Sequence, residues 1–145
     1  MHGKDHLNSN SFLLGKAQLE LIIEQQKRNE IGRPISEFVR TTKFEAYVRV
    51  GRLCFVDGER KTAIVLARID IPQNVRGQRV FPAVLEMFED RATHYEIEYV
   101  MVECVHHDWL VNWLKRNGFE MHGPINEGAP TLRKRVRPTS TNPEA

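Results

Sequence analysis

Five successive apolar residues, Ala63-Ile64-Val65-Leu66-Ala67, most constrain what this chain can fold into. Half-buried strands alternate apolar and polar side chains, so an unbroken run implies burial on both faces and hence a central strand. The run continues as Arg68-Ile69-Asp70-Ile71 and stops at Pro72, which has no backbone donor to extend a ladder. After Gly77, apolar residues return at Val80, Val84, Met87, Phe88 and Ala92, the i, i+4, i+7, i+8 spacing of an amphipathic helix. A second strand pattern follows over residues 96–105. A strand, a helix and a strand at these lengths favour a crossover with the two strands parallel.

The flanks fill in the rest. Helical spacing is expected over residues 12–29, with Leu14, Ala17, Leu21, Ile22 and Ile23 as its buried stripe and Asn10 or Ser11 as its cap. Gly32-Arg33-Pro34 breaks that helix, and Ser36 is expected to open a short second turn carrying Phe38 and Val39. Phe44, Ala46, Val48 and Val50 alternate with polar residues and predict a strand. Gly51 is expected to bend the chain before Leu53-Cys54-Phe55-Val56, and Asp57-Gly58 to turn a hairpin. Trp109, Leu110, Trp113 and Leu114 predict an apolar helix stripe, with Asp108 as N-cap and both tryptophans in the core. Residues 119–122 and 131–137 read as two final strands, and Arg133, Lys134, Arg135 and Arg137 as solvated charge. The organisation expected is a flexible N-terminus (1–11), one domain (12–137) and a flexible tail (138–145).

Composition excludes several classes. No apolar run approaches the roughly 20 residues of a membrane span, and MHGKDHLNSN lacks the apolar segment of a secretory signal. Cys54 and Cys104 lie far apart inside apolar runs, as reduced core residues of a cytoplasmic protein do. A formal charge of +2 is too small to mark a nucleic-acid binder, and no aromatic-basic strand motif accompanies it. His106-His107-Asp108 are adjacent on one loop, a spacing that does not converge on a metal ion.

The strand, Pro72, Arg76-Gly77 and helix together resemble the acyl-CoA loop of the GNAT N-acetyltransferases, whose signature is (Gln/Arg)-x-x-Gly-x-(Gly/Ala). Arg76 falls on the first position and Gly77 on the family's usual second glycine, while Arg79 and Phe81 stand at positions four and six, where small residues are usual. About 40 residues on, YVMVECVHHDWLVNWLKRNGF resembles the family's other half. There a strand, a loop commonly bearing Asn and a helix end in Tyr-x-x-x-Gly-Phe. Gly118-Phe119 matches that ending, Leu114 stands at the usual Tyr, and His106 or His107 stands near the usual Asn. The resemblance spans roughly residues 43–137.

The resemblance implies an α/β fold: a GNAT-like mixed sheet, mostly antiparallel, with one parallel pair splayed at a cofactor cleft and helices flanking it. It implies acetyl-CoA as co-substrate and no metal. The backbone near Ile69, Asp70 and Ile71 would pair with the pantetheine arm, and the amides of Arg76, Gly77, Gln78, Arg79, Val80 and Phe81 would hold the pyrophosphate. Its acceptor would be an amine on a small molecule or a protein. Glu103 is the foremost candidate base, followed by His106 and His107, with Asp70 behind them. Tyr99 could replace the missing tyrosine as thiol donor if its face of the strand meets the gap. Leu114, Arg79 and Phe81 also fit a different class, a GNAT-shaped protein that binds and regulates or inhibits a partner macromolecule without turnover. Pairing of sheet edges into a homodimer stays open.

Overall fold

In the computed structural model, residues 10–29, 32–55, 58–103, 105–122 and 129–136 are described. The order is α1 (Asn10–Lys27), β1 (Ile35–Arg40), β2 (Glu45–Cys54), β3 (Arg60–Asp70), a 3-10 turn (Gln73–Val75), α2 (Val80–His94), β4 (Tyr99–Val102), α3 (Asp108–Arg116), β5 (Glu120–Met121) and β6 (Leu132–Arg135). Six strands form one sheet in the order β1-β2-β3-β4-β6-β5. All its ladders are antiparallel except β3–β4, which runs parallel from Ala63↔Tyr99 to Leu66↔Val102. This is the mixed, GNAT-like architecture expected from the sequence. No helix among the described residues is long and apolar enough to cross a membrane.

Burial explains the unbroken run in β3. Ile64 and Leu66 belong to the main core, to which all three helices contribute, whereas Ala63 and Val65 pack with Phe55, Tyr99 and Met101 on the other face. Among the described residues, that second cluster draws on no helix. Each fully buried Val, Leu, Ile or Phe contributes about 1.5–3 kcal/mol, so the two-sided strand concentrates stabilisation at the centre of the sheet.

On α1 the buried residues are Phe12, Gly15, Leu19, Ile22 and Ile23. The expected stripe is therefore rotated: Ile22 and Ile23 are inside, but Leu14 and Leu21 are 51% and 64% exposed and Ala17 is exposed as well. This helix is apolar on two sides, and periodicity alone cannot choose between them. Gly15 settles the choice, because a Cβ there would stand 3.0 Å from Phe44 Cζ and 3.4 Å from Met87 Sδ. Its bare backbone lets the helix settle against β2 and α2. Arg91 of α2, 7% exposed, binds the Glu20 and Asp90 carboxylates and so ties α2 to α1.

Three further expectations change. Residues 35–40 are an edge strand rather than a helical turn, with Phe38 against Tyr47 at 4.8 Å across the ladder. Strand β2 runs unbroken through Gly51 to Cys54, and its irregularity falls at Tyr47/Val48. Cys54 is exposed rather than in the core, and Cys104, Asp57, Arg137 and both predicted flexible ends lie wholly or largely outside the described residues. Gly58 turns the hairpin at φ 85°, with Phe55 N donating to Glu59 O at 2.8 Å.

Gly51 has φ 154°, and a Cβ there would meet Pro34 Cα at 2.7 Å. Backbone cannot give way as a side chain can, so Gly51→Ala is expected to destabilise the protein by about 2–4 kcal/mol. Urea denaturation measures it, and an unchanged midpoint would show that the chain after α1 does not press on β2.

Candidate functional site

The two parallel strands separate after four paired residues. Glu103 N still donates to Leu66 O at 3.0 Å, but two residues later Val105 N donates to Pro130 O, on the β6 side. Strand β3 meanwhile continues beside β2 as far as Asp70↔Glu45. From residue 67 onward, the edge of β3 that faced β4 has no strand paired with it among the described residues. A wedge opens there, and the 3-10 turn, the start of α2 and the first turns of α3 close round it.

A cavity of about 450 Å³ occupies this position. Ile69 and Ile71 form the strand side, Arg76, Gly77, Arg79, Val80 and Phe81 the loop and helix side, and Trp109, Leu110 and Trp113 the α3 side. Seven of the nine residues that the sequence assigned to the cofactor thus line one space. The other two do not: the exposed Asp70 pairs with Arg68 at 3.0 Å, and Gln78 accepts from Lys43 Nζ at 3.3 Å. Alternation along β3 puts Asp70 on the opposite side from Ile69 and Ile71.

The loop is built by local bonds. Val75 N and Arg76 N donate to Pro72 O and Gln73 O at 3.1 and 3.2 Å, closing the 3-10 turn. Arg76 Nε donates back to Ile71 O at 3.2 Å. Gly77 has φ 89°, and Arg79, in the N-cap position of α2, is left-handed at φ 60°, ψ 37°. A side chain in that conformation costs about 1–2 kcal/mol, so the backbone keeps a glycine-like turn where this chain carries arginine. The amides of Val80 and Phe81 then lead the helix with no carbonyl ahead of them, and Pro82 has no N–H to offer. Phe81 is half-buried with its ring 5.8 Å from that of Trp113, so it serves as wall and leaves the space open. Arg79 is exposed.

The predicted catalytic residues lie elsewhere. Glu103, at the last rung of the β3–β4 ladder, accepts from Arg49 Nη1 at 2.7 Å. Arg49 reaches it from β2, across β3, on the face that carries Val65 and Met101. His106 and His107 are exposed in the loop before α3. His107, rather than Asp108, holds the N-cap position and makes no side-chain capping bond. Tyr99, at the opposite end of β4, packs against Phe55 at 5.1 Å and beneath Arg133, so it cannot replace the missing tyrosine. Leu114 is fully buried.

Trp113 is half-buried and Trp109 is 66% exposed, so neither is a core residue as expected. Arg133 is not solvated charge either: it binds Glu120 and stands 5.3 Å from the Phe55 and Tyr99 rings. Lys134 pairs with Glu89 at 3.0 Å. The sequence reading missed Val75, Pro82, Trp109, Leu110 and Trp113 as cavity residues. The tryptophans did carry a signal, since two in one short helix exceed what a single buried face needs. The helix ends as expected, with Gly118 at φ 94° and Phe119 N donating to Leu114 O at 3.0 Å.

No family model and no curated protein sequence matches the chain. Among solved structures it is similar to a protein from Agrobacterium tumefaciens designated an acetyltransferase, at 17% identity over 83% of this chain and 90% of that one, TM-score 0.49. It is similar also to GNAT-family acetyltransferases from Listeria monocytogenes 4b F2365 (12% identity, 65% and 64% covered, TM-score 0.47) and Staphylococcus aureus Mu50 (9%, 65% and 67%, 0.43). The sheet order and its parallel pair give the chain a GNAT-like fold.

The loop geometry has a measurable consequence. Gly77→Ala, whose Cβ would meet nothing within 4 Å, is expected to cost about 1 kcal/mol through its positive φ alone. Arg79→Gly relieves strain instead and is expected to leave stability unchanged or raise it by up to about 1 kcal/mol. Equal losses in both variants, read by thermal denaturation, would contradict the left-handed turn.

Proposed function

We infer that the protein is an acyl-CoA-dependent N-acetyltransferase of the GNAT type, acting on an amine. The carrying observation is the cavity at the parting of β3 and β4, which gathers the loop residues that the sequence motif marks. The lining suits the group. Ile69, Ile71, Val80 and Phe81 offer apolar surface to a pantetheine arm, and the unpaired edge of β3 offers it backbone groups as a neighbouring strand would. Arg76, Arg79 and the leading amides of α2 offer charge and donors to phosphates.

When bound, acetyl-CoA supplies the activated acyl group. The amine nitrogen forms a bond to the acyl carbon as the carbon–sulfur bond breaks, the amine gives up a proton, and the thiolate gains one. Glu103 is the proposed acceptor of the amine proton, held in place by Arg49, with His106 and His107 as exposed alternatives. Leu114 has no proton to give the thiolate. A thiol of ordinary acidity, pKa about 8.5, can leave as thiolate unaided and take its proton from water, so turnover is expected to persist, at a lower rate than with a donor at that position.

A second reading, partner binding without turnover, is supported by Leu114 and by the engagement of Glu103 with Arg49. Release of thiol from acetyl-CoA in the presence of an amine panel separates the two, since binding without release is the result that the second reading requires.

Calorimetric titration with acetyl-CoA tests the leading reading. Micromolar binding is expected, and Gly77→Glu, which brings a carboxylate to the phosphate loop, is expected to weaken it at least about tenfold. Absence of heat at millimolar ligand would refute the acyl-CoA reading.

A further inference from the structure

Trp109 is the one aromatic among the large hydrophobic side chains exposed in the described residues; the others are Leu13, Leu14 and Leu21 of α1. A tryptophan gains more from burial than most side chains, so an indole 66% exposed at the rim of a cavity is costly unless something covers it. Its position is fixed from below. Leu110 N and Val111 N both donate to His107 O at 3.0 Å, which closes the first turn of α3 around it. The His107 ring stacks on the indole at 6.0 Å with 24° between planes. A flat surface of this kind is ready to receive another flat ring.

The same cavity carries Arg76 and Arg79 on the wall formed by the loop and the start of α2, with Ile69 and Ile71 on the strand side. One space therefore presents a π surface, an apolar trough and two exposed arginines on its loop side. A ligand that satisfies all three has a planar base, phosphates and an apolar tail. We propose that Trp109 is the stacking platform for the adenine of an acyl-CoA, with the phosphates at Arg76 and Arg79 and the pantetheine arm along Ile69 and Ile71. This rests on the acyl-CoA reading above and goes beyond it. It assigns nucleotide recognition to a residue outside the loop motif, and it makes affinity depend on the base as well as on the thioester arm. His107 then acts as a positioning residue that holds the indole.

Base–aromatic stacking lost by alanine substitution weakens binding roughly 5- to 150-fold. The experiment titrates wild type, Trp109→Ala and Trp109→Phe with acetyl-CoA and with S-acetyl phosphopantetheine, which lacks the adenosine. Circular dichroism confirms that each variant is folded. Trp109→Ala is expected to lose about tenfold in affinity for acetyl-CoA while its affinity for S-acetyl phosphopantetheine stays within about twofold of wild type, and Trp109→Phe to recover most of the loss. Equal effects on both ligands, or on neither, would overturn the stacking role and leave the acyl-CoA reading standing. A wild-type protein that binds neither ligand would overturn both.

Discussion

A backbone amide can satisfy its hydrogen bond with only one neighbouring strand at a time, and the site follows from that limit. Strand β3 stays with β2 to its end, while the chain leaving β4 transfers its bonding from Leu66 O to Pro130 O within two residues. Once the amides beyond Glu103 turn to the β6 side, they no longer tie this chain to β3, and the two parallel elements part. The space between them is a consequence of ladder connectivity, so side-chain changes at its mouth alter its lining without closing it. Phe81 illustrates this: a phenyl ring where a small residue is usual turns against Trp113 and becomes part of the wall.

The loop beside the wedge is held more tightly than its arginines suggest. Three backbone bonds and the Arg76–Ile71 contact stiffen residues 72–78, and the main core pins Val75 and Val80 at either end. Such anchoring can sustain the unfavourable dihedrals of Arg79, because relaxing them would unseat two buried valines. Similar anchoring extends outward, where the buried Arg91 joins α2 to α1 through Glu20. Arg91 is itself buried, so removing Glu20 would take a partner from a buried charge, and the contact helps to hold the helix layer in register.

Legibility in the sequence followed the strength of local constraint. The two-sided run at Ala63–Ala67, Pro72 as a stop and the stripe from Val80 to Ala92 each admit one structure, and the crossover they specify is present. Segments with two compatible answers were misread. Residues 35–40 carry too few apolar positions to separate a turn from an edge strand, and pairing with β2 decides for the strand. Leu14 and Leu21 make as good a stripe as Phe12 and Leu19, and only the seat of Gly15 against Phe44 tells them apart. Trp109 read as core because its type usually is; Trp113 four residues on was a sign that one short helix does not bury both, but not of which one turns outward.

The candidate site divides the same way. Its loop half, Ile69 to Phe81, was readable because glycine, proline and a helix start are local signals. Its α3 half was not, since Trp109, Leu110 and Trp113 reach the cavity through the packing of a helix that begins some 30 residues later. By itself, the order of residues determined a central strand, a parallel crossover and a glycine-bearing turn into α2, all of which depend on neighbours within about one helix length. Tertiary structure alone decided which face of each helix is buried, that Glu103 is engaged by Arg49, and that an exposed indole lines the same cavity as two arginines. Those outcomes depend on contacts between residues far apart in sequence, which no local pattern encodes.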